Sequence, residues 1–144
     1  MRMSRWSTLA SVVLAAVLSG PAWATRTALP GTLNYVEGNA SMGAQTLDSK
    51  SIGSVELQAG QSLTTANGKA EVLLTPGVFL RVGDNSSVRL ISPSLIDTRV
   101  AVDKGEAMVE VAELHPENDI RVLEDGVSTQ LVKTGLYDFD ADQN

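Results

Sequence analysis

The stretch Lys69-Ala70-Glu71-Val72-Leu73-Leu74-Thr75-Pro76-Gly77-Val78-Phe79-Leu80-Arg81-Val82 decides the fold class. Ala70, Val72 and Leu74 alternate with Lys69, Glu71, Leu73 and Thr75, which is the period of a strand with one buried face. Pro76-Gly77 fits the centre of a type II turn, since Pro fixes the first φ and Gly accepts a positive second one. Val78, Leu80 and Val82 resume the pattern, with Phe79 and Arg81 on the other face. A hairpin is expected here.

The same alternation extends along the chain. Val88 and Leu90 follow the loop Gly83-Asp84-Asn85-Ser86-Ser87, and Thr98, Val100 and Val102 alternate with Arg99 and Ala101 beyond Pro93. Ile120 and Val122 precede Glu124-Asp125-Gly126; Val127, Thr129 and Leu131 come after it. The expected fold is all-β, with short strands and Gly turns forming a twisted β-sandwich or β-solenoid-like layers. A weak repeat supports the layered form: Gly38-Asn39-Ala40, Gly68-Lys69-Ala70 and Gly105-Glu106-Ala107 share one pattern, each reading as a turn entering a strand. Their intervals of 30 and 37 residues are irregular, so chance similarity among hairpins stays open. Residues 106–114 fit two periods. Ala107, Val111 and Leu114 have helical spacing, whereas Ala107, Val109 and Val111 opposite Glu106, Met108 and Glu110 make a strand. The likeness to the other Gly-x-Ala sites favours the strand.

With 11 basic and 17 acidic side chains, the 144-residue chain has a net charge of −6, which argues against nucleic acid as a partner. The absence of cysteine excludes disulfides, zinc fingers and thiol nucleophiles. Arg2 and Arg5 precede the ten-residue apolar stretch Leu9–Leu18, then Gly20-Pro21 and Ala22-Trp23-Ala24. This is the order of a cleavable secretory signal over residues 1–24, cut after Ala24. The alternative is an uncleaved anchor, but spanning a bilayer takes roughly 20 apolar residues. A periplasmic or secreted product is expected, not membrane-spanning after cleavage. Loss of residues 1–24 shifts the net charge to −8 and leaves four aromatics, Tyr35, Phe79, Tyr137 and Phe139. A stacking platform for sugars or single strands is hard to build from these.

Candidate chemistry is sparse. His115, the one histidine, lies in Glu113-Leu114-His115-Pro116-Glu117-Asn118-Asp119, a set that could hold a divalent cation. Catalytic zinc ordinarily uses more than one His, and a solvated acidic loop between strands explains the segment better. Asp138, Asp140 and Asp142 resemble the opening of a calcium loop, but Gln143 stands where that loop needs Gly, and the sequence ends at Asn144 before its Glu. A strand with a solvated acidic face is the expectation. No Gly-x-Ser-x-Gly elbow or phosphate-cradling glycine loop occurs. No residue is nominated as catalytic, cofactor-binding or metal-ligating, no cofactor is implied, and no enzyme is expected.

The ordered set from Gly60 through Leu63-Thr64-Thr65, Gly68-Lys69-Ala70 and the hairpin to Val82 resembles a FecR domain. Asn85-Ser86-Ser87-Val88-Arg89-Leu90 downstream, Tyr35-Val36-Glu37-Gly38-Asn39-Ala40 upstream and the later Lys104-Gly105-Glu106-Ala107 are similar too. The likeness covers residues 31–112 of a domain expected over 25–144. It implies an extracytoplasmic bacterial all-β domain without catalytic residues. In the namesake regulators such a domain senses a transporter and controls a sigma factor. Here a cleavable signal stands where those carry a sigma-binding segment and membrane anchor, leaving the periplasmic half of the analogy. The chain is accordingly expected to bind another cell-envelope protein, or other domains of a longer chain. A binding module for cell-wall glycan or divalent cation is the alternative. Because Leu136-Tyr137-Asp138-Phe139-Asp140 reads as a strand so near the end, the sequence is either an N-terminal piece of a longer protein or closes on a frayed terminus.

Overall fold

A computed structural model describes residues 29–142; the signal expected over residues 1–24 lies outside the described residues. The strands are β1 (Leu33–Met42), β2 (Gln45–Thr46), β3 (Ser62–Thr75), β4 (Val78–Val82), β5 (Ser87–Ser94), β6 (Asp97–Lys104), β7 (Glu106–Val111), β8 (Ile120–Glu124), β9 (Val127–Gln130) and β10 (Gly135–Asp140). One 3-10 turn, Ser49–Ser51, is capped by the Asp48 carboxylate, which accepts from the Lys50 and Ser51 amides. The described residues are all-β, as their alternation indicates. Left open between sandwich and solenoid, the arrangement takes the form of one mixed sheet curled into a half-barrel.

The sheet is built on four long strands, β1, β3, β4 with β5, and β7 with β6, each bent near its middle. β3 pairs along one side with β1 and along the other with β4 and then β5, so β4 and β5 continue one another. β6 and β7 likewise run on from each other beside β5 and β4. The bends fall on one transverse line through Gly38, Gly68, residues 83–86 and Gly105. The Gly-x-Ala sites at Gly38 and Gly68 are therefore bends inside strands rather than turns between them. Those two glycines face each other across the β1–β3 ladder. A Cβ on Gly68 would lie 2.5 Å from the Glu37 carbonyl oxygen, so the backbones approach as closely as glycine alone permits.

Where the ladder is interrupted, two buried hydroxyls take over its hydrogen bonds. Thr65 Oγ1 donates to the Gly83 carbonyl at 2.5 Å and accepts the Ser86 amide at 3.0 Å. Ser86 Oγ donates to the Asp84 carbonyl and accepts the Glu106 amide. Unpaired, these backbone groups would be costly to bury.

The expected hairpin is present: Pro76 and Gly77 (φ 78°) join β3 to β4. Residues 106–111 are strand, as favoured, and the segment after them crosses over to β8. β8 lies parallel to β6; β9 and β10 are two edges of the sheet, and β1, with the two-residue β2 against its end, is another on the far side of β3. Inward residues of nearly every strand, among them Leu33, Leu63, Val72, Leu80, Val88, Val100, Val109 and Val122, make one aliphatic core. Burying each such side chain contributes about 1.5–3 kcal/mol. Leu131 and Phe139 anchor β9 and β10 to it. No helix among the described residues is long and apolar enough to cross a membrane.

Candidate functional site

Because successive side chains of a strand point to opposite faces, the register that buries the valines also assembles the outer face. One transverse row reads Tyr35, Glu71, Arg81, Met108 and Asp138, on β1, β3, β4, β7 and β10 in turn. It forms the floor of an open groove of about 780 Å³, with Lys69, Asp84, Glu106 and Asp140 among the other lining residues. The lining carries five carboxylates, from Glu71, Asp84, Glu106, Asp138 and Asp140, against the two cations Lys69 and Arg81.

Arg81 organises the centre. Its Nε donates to Glu71 Oε2 at 2.7 Å, and its Nη2 pairs with the Glu110 carboxylate. Asn34 Nδ2 donates to the other oxygen of Glu71. The hydrogen bond to Glu71, reinforced by the charges of Glu110 and Glu71, holds the guanidinium further above its ordinary value against the opposing effect of burial. Arg81 is thus a fixed cation committed to its neighbours. Tyr35 donates its phenol proton to Glu37 Oε2 at 2.5 Å, and this bond is the main reason the phenol is held above its ordinary value.

The segment 113–119 is the crossover loop between β7 and β8. His115 Nε2 lies 3.3 Å from Glu113 Oε1, and the His115 backbone amide donates to Asn118 Oδ1 at 3.0 Å. Asp119 turns away to Arg121 and Gln130, so the loop does not bring its carboxylates together around the imidazole. Among the described residues no group of three His, Cys, Asp or Glu side chains is placed to hold a metal ion. Asp138 and Asp140 lie on β10 with Phe139 buried between them, which is the solvated acidic face expected there. Asp142 donates its amide to Asp140 Oδ1 at 3.1 Å.

Sequence reasoning placed Arg81 on the face opposite the core but nominated no site. The signal that was visible is the recurrence of acids at outward positions, Glu71, Glu106, Glu110, Asp138 and Asp140. What joins them is the pairing of β10 to β7 and of β7 to β4, a long-range register that local periodicity does not contain. No protein-family model, curated protein or solved structure matches the chain.

Proposed function

We propose that this chain is a non-catalytic protein-binding domain of the extracytoplasmic FecR-like kind, and that its acidic groove grips an extended cationic segment of a cell-envelope protein. The observation that carries the reading is the groove itself. Four of its carboxylates, Asp84, Glu106, Asp138 and Asp140, have no ion-pair partner among the described residues. Two of them project from β10, whose far side pairs with no strand among the described residues. An incoming strand could add to that edge through main-chain hydrogen bonds while its Lys or Arg side chains reach Asp138 and Asp140. Met108 and Tyr35 offer apolar surface to the stems of those side chains. The leader read in residues 1–24 supports an envelope location.

Calorimetric titration with an extended peptide alternating Lys and Val tests the reading. Binding that weakens with salt and falls at least about tenfold in the Asp138→Lys/Asp140→Lys variant is the expected result. Heat from calcium, zinc or glycan fragments with none from the peptide would replace it by the cation or glycan reading. No heat from any of them would end the binding proposal at this groove.

A further inference from the structure

Exposed edge strands are ordinarily protected by charge, Pro or a bulge, because a bare row of N–H and C=O groups templates another strand. β9, which among the described residues pairs only with β8, lacks that protection. Among the described strands longer than two residues, it is the one with no charged side chain. The uncharged run Val127-Ser128-Thr129-Gln130-Leu131-Val132 contains neither Pro nor Gly and is rich in β-branched residues. Val127 is 63% and Val132 64% exposed. This gap in the charge pattern occurs in a chain whose net charge of −6 would otherwise keep copies apart.

From this edge we infer that β9 pairs antiparallel with β9 of a second copy of this chain, about a two-fold axis at Thr129. The phase of the backbone limits the register. Asp125 (φ 48°) and Gly126 (φ 78°) form the two-residue turn between Glu124 and Val127, with both φ positive as a type I′ hairpin requires. The residues flanking such a turn form a hydrogen-bonded pair, and such pairs alternate along the ladder. Val127 and Thr129 therefore direct their N–H and C=O groups to β8. The Leu131 amide, donating to the Ile120 carbonyl at 2.9 Å, keeps the same phase. Ser128 and Gln130 direct theirs outward.

A two-fold axis at Thr129 sets Ser128 against Gln130 of the second copy, and the reverse, giving roughly four main-chain hydrogen bonds. Thr129 meets its own equivalent, a favourable cross-strand pair. The same axis sets Asp125, in the turn before β9, near Lys133 of the second copy, in the bend after it, again twice. Neither Asp125 nor Lys133 has an ion-pair partner among the described residues. Backbone phase admits two-fold axes at Ser128, Thr129 or Gln130, and of these only the axis at Thr129 sets Asp125 against Lys133. One short strand from each copy falls below the roughly 1,200–2,000 Å² of a standard interface, so the dimer is weak and depends on concentration.

Sedimentation velocity from micromolar to near-millimolar protein tests this, together with amide hydrogen exchange by NMR. The sedimenting species is expected to move from monomer to dimer, and the Ser128 and Gln130 amides to become protected as it does. Thr129 should be protected throughout. Thr129→Lys sets two ammonium groups together at the axis, and Lys133→Glu sets a carboxylate against Asp125. Each should weaken dimerisation at least about tenfold with the melting temperature unchanged, which shows the hairpin still forms. Asp138→Lys/Asp140→Lys should leave the dimer intact, separating this inference from the fate of the groove. A monomer at the highest concentration overturns the inference. So does a dimer that Thr129→Lys leaves unchanged, or one whose added protection falls on β10.

Discussion

β10 lies along β7 for all six of its residues, from Gly135 opposite Val111 to Asp140 opposite Glu106, while β9 pairs with β8 over four. β10 also buries Phe139 within its own length and half-buries Tyr137 beside it. Every residue of β9 is exposed, and its anchor, Leu131, comes just after the strand ends. The chemistry of these two edges differs more than their lengths do. Asp138 and Asp140 would confront each other's charge if β10 met a second β10, yet they suit a cationic strand. β9 offers a second copy no such obstacle. An edge's unpaired backbone groups invite any strand, so its side chains determine which strand can come.

The comparison breaks most readily at the anchors. Phe139→Ala removes an aromatic ring that is 8% exposed and should destabilise the fold by about 3–4 kcal/mol. Leu131→Ala, at a site 2% exposed, removes a smaller side chain and should cost about 2–3 kcal/mol. Urea unfolding of both variants measures the order, and hydrogen exchange shows whether Phe139→Ala releases β10 from β7 selectively. If Leu131→Ala proves the costlier, β9 is the firmer edge and the ranking reverses. A smaller effect is expected at Arg81, whose side chain is well exposed. Arg81→Ala should cost no more than about 1 kcal/mol in stability. It also leaves Glu71 and Glu110 unneutralised beside the groove, so the Lys–Val peptide should bind more tightly. Opposite signs on stability and binding would set the acidic edge apart from a merely structural one; weaker binding would refute that role for the groove.

The sequence makes the inward faces plain because a strand's period of two is local. Val72 with Leu74, Val78 with Leu80 and Val100 with Val102 all bury as their alternation indicates. Pro76-Gly77 is equally local, since its turn geometry depends on the two residues that form it. The glycine bends are different. Gly38 and Gly68 declare a need for small size, but the reason is each other's backbone, 30 residues away in sequence. Thr65 and Ser86 were invisible for the same cause: their hydroxyls serve backbone groups of strands that only the fold brings near. The parallel pairing of β6 with β8 is also a long-range choice, and without it the edge at β9 cannot be identified. The uncharged run from Val127 to Val132 could be read in the sequence; that it lies on an open edge could not.

The last and smallest effect links β9 to pH. Asp119 accepts Arg121 Nε and Nη2, each at 3.0 Å, and the Gln130 side-chain amide at 3.1 Å, so its carboxylate ties the end of β9 to the crossover loop. The Arg121 hydrogen bond is the main cause of its acidity, outweighing a smaller opposing effect of desolvation, with the Arg121 charge and Gln130 adding to it. The folded chain therefore holds this carboxylate below its value in the unfolded chain. Whatever stability it lends is present above the unfolded aspartate value of about 3.9 and is lost as pH falls through the lower folded one. An NMR titration should show Asp119 protonating at lower pH than an aspartate in the urea-unfolded chain, with the Gln130 side-chain amide signals moving at the same midpoint. In Asp119→Asn that movement should vanish while the stability near neutral pH changes little, because the Arg121–Asp119 pair lies at the surface, its side chains 44% and 32% exposed. If the Gln130 signals titrate unchanged without Asp119, another carboxylate holds the end of β9, and the acid response of this edge must be assigned to that group instead.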